Sequence, residues 1–534
     1  MKKSLLTLLI AAITSTAFAQ LISHDRKIAT VEKIIETFYV GDIDTTKVVE
    51  EGIRAMLKTL DPHSSYSTPQ ETKELNEPLQ GNFSGIGIQF QMLNDTLYVI
   101  QTVAGGPSEQ VGLLPGDRIL SANDSLISGV KRVNSSVMKI LRGPKGTEVN
   151  VTVKRNGVDN PIVFRIIRDD IPIYSVDASY MAAPGTGYIR VSRFAEDTPK
   201  EVAEAISKLK QQGMTDLILD LQDNGGGYLH SAYRLAEMFL NPGDLIVYTD
   251  GDRVDPQHYY ASGKALMPQG RVVVMVNQYS ASASEILSGA LQDNDRGVVV
   301  GRRTFGKGLV QRPFPFPDGS MVRLTVSRYH TPSGRCIQKP YTPGDNDDYS
   351  HDIINRYNAG EFSSPDSIKF DPSLRYTTLR NGRTVYGGGG IMPDRFVPID
   401  TTRWSTYYRD LLAKGIYNRY AVNLVDKNRE KMKAEFPTET DFIERFDVTP
   451  DMLDEIVKMG EADGVKPDEE GLATSGELIS LIVKGIIGRD LFEQSTYFRV
   501  VNPFEPVYRE ALDIISDPSL YDSLLQPAGE EPEP

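Results

Sequence analysis

The segment DLILDLQDNGGG, residues 216–227, joins a continuous apolar strand to a polar turn and three consecutive glycines. A strand that is apolar on both faces is typical of a parallel sheet covered by helices on both sides. Strands and helices alternate around this segment from about residue 185 to 335. That alternation predicts a largely parallel sheet with helical crossovers. In such sheets functional residues gather at the carboxyl ends of the strands, which is where these glycines are expected.

A second strand end carries YSASASE, residues 279–285, between the apolar strand 271–276 and a predicted helix that begins at Ala283. Ser282 followed three residues later by Glu285 is a capping box, which begins helices without doing any chemistry. The same position would bring the Ser282 oxygen near positive backbone dipoles, which favour developing negative charge. From this segment alone, Ser282 can be interpreted either as a structural helix cap or as a nucleophile.

A third strand end carries GRRTFGKG, residues 301–308. It nearly matches a phosphate-binding P-loop, but position 308 is glycine and offers no hydroxyl for Mg²⁺. Lys307 could instead be buried between its glycines, where desolvation lowers the pKa of an amine and lets it act as a base. An exposed lysine is the plain alternative. His230 and His330 are alternative bases, although the Gly-x-Ser-x-Gly elbow of many serine hydrolases is missing around Ser282.

Composition narrows the classes of protein. The 534 residues include 58 Lys+Arg and 72 Asp+Glu, giving a net charge of −14, with 40 % hydrophobic residues and one cysteine. The acidic balance argues against nucleic acid and anionic membranes as partners. One cysteine excludes a disulfide framework and a cysteine-based zinc site. Metal-ligand spacing of the His-Glu-x-x-His type is also missing, so we expect no metal and no cofactor.

The first twenty residues form a separate segment. Lys2 and Lys3 precede an apolar run over residues 5–13, and Ala17-Phe18-Ala19 fits the small-x-small pattern of signal peptidase sites. We expect a signal peptide at 1–19 that is cleaved after Ala19, with the bacterial periplasm as the location. An uncleaved anchor is the alternative, but the run is shorter than the ~20 residues that span a bilayer.

Changes in hydrophobic period divide the rest of the chain. The predicted fold class is a multidomain protein: an α/β core with a largely parallel sheet, a β-rich module, and helical N- and C-terminal regions. The expected boundaries are a helical N-terminal segment at 20–80, the β-rich module at 81–170, the α/β core at 171–400, a helical C-terminal extension at 401–525 and a disordered tail at 526–534.

Three motifs together resemble the C-terminal processing peptidases, also called tail-specific proteases. They are SASASE at 280–285, TFGKGLVQ at 304–311 and LDLQDNGGG at 219–227. The separation of 25 residues from Ser282 to Lys307, and of four from Lys307 to Gln311, fits that family. The third motif is similar to the family's Asp-Leu-Arg-x-Asn-x-Gly-Gly signature, with Gln222 where arginine is usual.

The resemblance implies a serine endopeptidase in which Ser282 is the nucleophile and Lys307 the general base. It implies that Gln311 holds the lysine amine in line through a hydrogen bond. The oxyanion hole would be formed by the N–H groups of Ala283 and of Gly226 or Gly227. Glu285 and Asp293 match acidic positions of the family and are interpreted as structural, Glu285 through the capping box.

The module at 81–170 resembles a PDZ domain. GIGI, composed of Gly85, Ile86, Gly87 and Ile88, is similar to its carboxylate-binding loop and strand, and residues 107–119 to the following helix and turn. The resemblance implies that protein substrates with apolar C-termini are captured as an added strand. A regulatory adaptor and a homo-oligomer are both compatible with this interpretation.

Two alternatives stay open at this point. One is a catalytically inactive PDZ adaptor that binds protein C-termini, which Gln222 alone supports. The other is a Ser-His hydrolase that uses His230 or His330. Loss of activity in Lys307→Ala favours the dyad over both.

Overall fold

The computed structural model describes residues 24–93, 95–103 and 105–527. The predicted signal peptide at 1–19 and positions 528–534 of the predicted tail lie outside these residues. The described chain forms two compact units. The first contains residues 24–72, 311–325 and 341–349, and the second contains the remainder.

The first unit begins with two helices, as predicted for the N-terminal segment. They span His24–Phe38 and Thr45–Lys58, and the Asp44 side chain caps the second by accepting a hydrogen bond from the Lys47 amide. The strand Ser65–Ser67 pairs antiparallel with residues 321–323. The apolar face of the first helix stays at the surface, since Ile28 is 55 % exposed. Helical periodicity therefore predicted the helix correctly, although the apolar face of the helix is exposed and not buried.

The β-rich module of the second unit is built on one antiparallel sheet around its own apolar core. Two helices, Pro107–Gln110 and Asn134–Leu141, pack with it. The strands, in chain order, are Ile88–Leu93, Thr96–Thr102, Arg118–Ala122, Ser125–Leu126, Glu148–Lys154 and Ile162–Ile167. Ile88–Leu93 lies at one edge of the sheet, because it pairs with Thr96–Thr102 and is last in the strand order. Where the module begins and ends, Asn82–Gly85 pairs with Asp169–Pro172.

The core sheet of the second unit has six strands. In spatial order they are Val176–Ala183, Thr186–Val191, Asp216–Asp220, Val272–Val276, Val298–Gly301 and Arg395–Phe396. The first pair is antiparallel and each of the later pairs is parallel. The prediction of a largely parallel sheet therefore describes this sheet except at its first edge.

Helices cover both faces of this sheet. Successive residues of Asp216–Asp220 face opposite ways: Leu217 and Leu219 belong to one apolar core and Ile218 to another. The first core is covered by the helices Thr198–Gln211, Leu229–Ala236 and Ala283–Asp293. The second is covered by the C-terminal helices Pro506–Ser516 and Pro518–Leu524. The end of the chain is thus an integral layer of the core.

The predicted extension at 401–525 therefore has two structural parts. Its earlier helices enclose a separate apolar core. They are Thr406–Ala413, Ile416–Glu435, Glu439–Arg445, Pro450–Ala462 and Glu469–Leu491, and Gln494–Val501 follows them. By length and mean hydropathy (1.3) Glu469–Leu491 could cross a membrane, but Ile479, Val483 and Ile487 are buried in that core.

The remaining elements lie around the core sheet or in the first unit. They are the strands Leu245–Gly251, Val254–Tyr260, Leu309–Pro315, Met321–His330, Arg375–Thr377 and Thr384–Tyr386, the helices Pro69–Gln80 and Asp347–Asn358, and the 3₁₀ turns Pro365–Ser367, Pro372–Leu374 and Asn502–Phe504.

Candidate active site

Ser282 lies between the buried strand Val272–Val276 and the helix Ala283–Asp293, at the N-cap of that helix. Its backbone has φ +55° and ψ −111°, a conformation that residues other than glycine rarely adopt. Such strain persists only where the surroundings impose it, and it is concentrated at functional sites. The side chain is half-buried, whereas its neighbours Ala281 and Ala283 are buried. A hydroxyl at the positive end of a helix dipole suits an oxygen on which negative charge develops.

Glu285 joins the serine segment to the lysine segment. Its Oε2 accepts hydrogen bonds from the backbone N–H of Ser282 at 2.8 Å and of Lys307 at 2.9 Å. Its Oε1 accepts from the Gly306 N–H at 2.7 Å and from the Thr304 hydroxyl at 2.5 Å. The carboxyl is fully buried, and burial raises its pKa to about 7 although four donors favour the ionised form. The contact with Ser282 is the one that the capping box predicted; the three with 304–307 were not predicted.

Tyr329 makes a second link between the same segments. Its hydroxyl lies 3.1 Å from the Ser282 carbonyl oxygen and also within hydrogen-bonding reach of the Lys307 carbonyl oxygen. Tyr329 is 1 % exposed, so its side chain is shielded from solvent. The backbones of Ser282 and Lys307, 25 residues apart in sequence, are therefore held together by one carboxylate and one phenol.

The glycine turn contacts the nucleophile segment directly. A Cβ on Gly226 would lie 2.8 Å from the Ser282 Cβ and 3.0 Å from the Ala283 nitrogen. A Cβ on Gly227 would lie 2.1 Å from the Phe194 carbonyl oxygen. Both positions therefore require glycine. In this conformation the Gly226 N–H donates to the Asn224 Oδ1 at 2.9 Å. The oxyanion hole formed by Ala283 with Gly226 or Gly227 stays a prediction. The Gly226 N–H could donate to an oxyanion only after its hydrogen bond to Asn224 is broken.

Buried charges fix the turn before these glycines. The Arg190 guanidinium donates to the Asp220 carboxylate at 2.6 Å, to the Gln222 carbonyl at 3.1 Å and to the Asp223 carboxylate at 3.2 Å. Asp223 also accepts from the Asn277 amide at 2.8 Å, which joins the turn to the loop that precedes Ser282. Gln222 contributes backbone groups to this network.

Gln311 belongs to the other compact unit. There its amide Nε2 donates to the Thr325 hydroxyl at 3.2 Å. Its predicted hydrogen bond to Lys307 stays a prediction.

The two alternative histidine bases have acidic partners of their own. His230 Nε2 lies 2.8 Å from a Glu196 oxygen, and His330 Nε2 lies 3.1 Å from an Asp250 oxygen. Asp293 forms a fully buried ion pair with Arg335 at 2.6 Å, which agrees with its interpretation as structural. Within the described ranges, no group of three or more His, Cys, Asp and Glu side chains is arranged to hold a metal ion.

The GIGI segment leads into the edge strand of the β-rich module, and its role in binding a carboxylate stays a prediction. Gly87 has φ +75°, and a Cβ there would meet the Ile171 side chain at 3.0 Å. The Ile86 carbonyl accepts from both the amide and the hydroxyl of Ser108, at 3.0 and 2.6 Å. Ile88 begins the edge strand, whose outer side can pair with an added peptide strand.

Family models match three parts of the chain. Residues 185–347 match Peptidase family S41, residues 84–163 match the PDZ domain, and residues 407–493 match a family of unknown function, DUF8443. The first two matches agree with the resemblance drawn from the motifs.

Curated relatives agree with these matches. A "Carboxy-terminal-processing protease" of Bartonella bacilliformis is 36 % identical over 308 residues, covering 57 % of this chain and 70 % of its own. The "Carboxy-terminal processing protease CtpB" of Bacillus subtilis is 35 % identical over 337 residues, covering 62 % and 69 %. Among solved structures, the photosystem II D1 C-terminal processing protease is 30 % identical over 57 % of this chain and 83 % of its own, with a TM-score of 0.34. On the strength of the sequence relatives, the chain belongs to the carboxy-terminal-processing proteases of peptidase family S41, which are serine peptidases.

Proposed function

We propose that the protein is an exported endopeptidase that selects protein substrates by their C-terminal tails and cleaves them with a Ser282–Lys307 dyad. The observation that carries this proposal is the Glu285 carboxylate, which accepts from the backbone N–H of Ser282 at 2.8 Å and of Lys307 at 2.9 Å. A nucleophile and a base from distant segments need such a tie, because small misplacements of reacting groups slow catalysis strongly.

The proposed reaction is acyl transfer followed by hydrolysis. The neutral Lys307 amine takes the Ser282 hydroxyl proton while Oγ attacks the scissile carbonyl carbon. The N–H groups of Ala283 and of the glycine turn stabilise the negative oxygen that forms. The ammonium then protonates the departing amine, which leaves an ester on Ser282. A water molecule that gives its proton to the same amine hydrolyses the ester and restores the hydroxyl.

Substrate selection is assigned to the PDZ domain. The N–H groups around Gly87 would receive the terminal carboxylate, and the tail would pair with the edge strand that begins at Ile88. The apolar core of the module lies behind this loop, since Ile86 belongs to the same buried cluster as Val137 and Leu141. An apolar C-terminal residue is therefore the chemistry that fits.

The test compares wild type with Ser282→Ala and Lys307→Ala on a model protein that ends in an apolar tail. Both variants are expected to lose cleavage by at least about a thousandfold while remaining folded. Ser288→Ala is the matched control, because its hydroxyl lies on the same helix and donates to the Ser284 carbonyl. Cleavage retained in either dyad variant overturns the mechanism.

The same assay addresses the alternatives. Tail binding without hydrolysis by the wild type would favour the adaptor. Activity lost in His230→Ala or His330→Ala but kept in Lys307→Ala would favour the Ser-His hydrolase. Export is tested separately by determining the N-terminus of the protein from periplasmic extract, where we expect Gln20.

A further inference from the structure

The loop that carries Lys307 has no regular secondary structure over residues 303–308, so its backbone groups need partners from elsewhere in the fold. Glu285 accepts from the amides of Gly306 and Lys307 and so holds two N–H groups of this loop. The carbonyl groups of the loop have other partners. These belong to a cluster composed of Lys339, Asp352, Arg356 and Glu361, which lies in the same compact unit as the loop.

Arg356 binds two consecutive carbonyl groups of the loop. Its side chain is buried, and its guanidinium donates to the Arg303 carbonyl at 2.7 Å and to the Thr304 carbonyl at 3.0 Å. A third N–H, on Nε, donates to the Glu361 carboxylate at 3.0 Å. Because a guanidinium presents its donors in one rigid plane, the two carbonyls and the carboxylate are fixed relative to each other.

Glu361 also binds the loop through a side chain. The same carboxylate oxygen accepts from the Arg303 guanidinium at 2.6 and 3.2 Å. A further N–H of Arg303 donates to the Gly389 carbonyl at 2.7 Å. Glu361 therefore connects a side chain of the loop to the arginine that holds the carbonyl groups of the loop.

Lys339 binds the next two residues of the loop. Its backbone N–H donates to the Gly306 carbonyl at 2.9 Å. Its ammonium lies 4.0 Å from the centre of the Phe305 ring, a cation–π contact, and 2.9 Å from an Asp352 oxygen. Lys339 is 4 % exposed, so this contact is shielded from water. Each of the residues 303–306 is thus bound by Lys339, Arg356 or Glu361.

We propose that Arg356 and Lys339 are positioning residues that fix the loop 303–306 and thereby hold Lys307 in place as the base. This inference rests on the proposed function, in which Lys307 takes the Ser282 proton. Hydrogen bonds to amides alone leave the peptide planes of a loop free to rock, whereas hydrogen bonds to the carbonyls as well fix those planes. A displacement of about 1 Å in a reacting group costs about 100-fold in rate, so such a hold matters for catalysis.

The decisive variant is Arg356→Met, which keeps most of the length of the side chain but removes every donor. We expect kcat on a short peptide to fall about 10- to 100-fold while KM stays within about threefold of wild type. Lys339→Met removes only the ammonium and should lower kcat less, about 3- to 10-fold.

Arg296→Met is the matched control. Arg296 also donates to backbone carbonyls, those of Phe239 at 2.9 Å and Met267 at 2.7 Å. It precedes the strand Val298–Gly301, however, whereas the lysine loop follows that strand. We expect the folded Arg296→Met enzyme to keep kcat within about threefold of wild type.

The pH profile of kcat separates positioning from structural support. The neutral amine is the active form in the proposed mechanism, so kcat falls on the acid side of the profile. A loosened loop gives water more access to the Lys307 amine, which then holds its proton more tightly. The acid limb should therefore move to higher pH by about one unit in Arg356→Met and should not move in Arg296→Met.

Two results would overturn the proposal: an Arg356→Met enzyme with kcat within threefold of wild type, or a lower kcat with an unmoved acid limb. If Arg356→Met does not fold, Arg356→Lys gives the same test, since an ammonium keeps the charge but cannot reproduce the planar set of donors. Its kcat should fall at least about 10-fold, and wild-type kcat would overturn the proposal equally. Lys307→Ala is measured alongside, because activity there would refute the dyad itself and not only the role of Arg356.

Discussion

Replacing Glu285 by glutamine tests the tie between nucleophile and base with almost no change in shape. Glutamine places an NH₂ group where one carboxylate oxygen now accepts two hydrogen bonds. Oε2 accepts from the Ser282 and Lys307 amides, so an NH₂ group on that side faces two donors. Oε1 accepts from Gly306 and Thr304, so an NH₂ group there faces the Gly306 N–H, whereas the Thr304 hydroxyl can turn to accept. Each buried unsatisfied donor costs about 1–3 kcal/mol, so the local loss is roughly 1–6 kcal/mol.

A compensating gain keeps the variant folded. Burial raises the pKa of Glu285 from 4.5 to about 7, so the ionised carboxylate is held at a cost of about 3 kcal/mol above pH 7. Glutamine removes that cost. The free energy of unfolding at pH 8 should therefore fall by at most about 3 kcal/mol. The kcat should nevertheless fall at least about 100-fold, because in either orientation the glutamine loses hydrogen bonds to the segment 304–307 that carries Lys307.

The assay has two readouts: kcat on a short peptide, and urea unfolding at several pH values. The folded wild type binds the Glu285 proton more tightly than the unfolded chain does. Its free energy of unfolding should therefore fall by about 3 kcal/mol between pH 4.5 and pH 7 through this group, and Glu285→Gln should lack that decline. Glu201→Gln is the matched control, because that carboxylate also accepts from two backbone amides, those of Ser175 and Val176. A Glu285→Gln enzyme with kcat within threefold of wild type would refute the reasoning.

Three further predictions follow from named contacts. Asp293→Asn leaves the fully buried Arg335 without its counter-charge, so urea unfolding should show a loss of about 3–5 kcal/mol; a loss below 1 kcal/mol would contradict this. Asp426→Asn weakens the 3.0 Å pair with Arg118, which joins a helix of the C-terminal part to the PDZ domain. Amide hydrogen exchange over residues 114–118 should become about 10-fold faster or more, and unchanged exchange would show that the pair does not hold the domain. Gly87→Val puts a branched side chain at φ +75°, so anisotropy should show at least 10-fold weaker binding of a labelled tail peptide; wild-type affinity would exclude this loop as the carboxylate site.

Local patterns predicted the parts of the site that lie close together in sequence. The apolar strand at 216–221, the turn of glycines and the cap at Ser282 are short-range features, and each lies where expected. The start of the helix Pro450–Ala462 is equally local, with Thr449 as its N-cap and Pro450 as its first residue.

Long-range polar contacts were beyond sequence reasoning. The partners of Glu285 lie about 20 residues further along the chain, and Arg356 is 52 residues from Thr304. Contacts between residues this far apart in the chain produce no periodic pattern in the sequence. The helix Asp347–Asn358 was also missed, because it lies in a region rich in glycine and proline. The engagement of Gly226 with Asn224 depends on a side-chain conformation that no motif encodes.

The central claim is that Ser282 carries the acyl group and that Lys307 activates it. The most direct measurement is rapid acid quenching during turnover of a tailed substrate, followed by mass spectrometry of the enzyme peptides. We expect an ester adduct of the substrate's N-terminal fragment on Ser282 in the wild type and no such adduct in Lys307→Ala. An adduct on a different side chain, or the same adduct formed at the wild-type rate in Lys307→Ala, would contradict it.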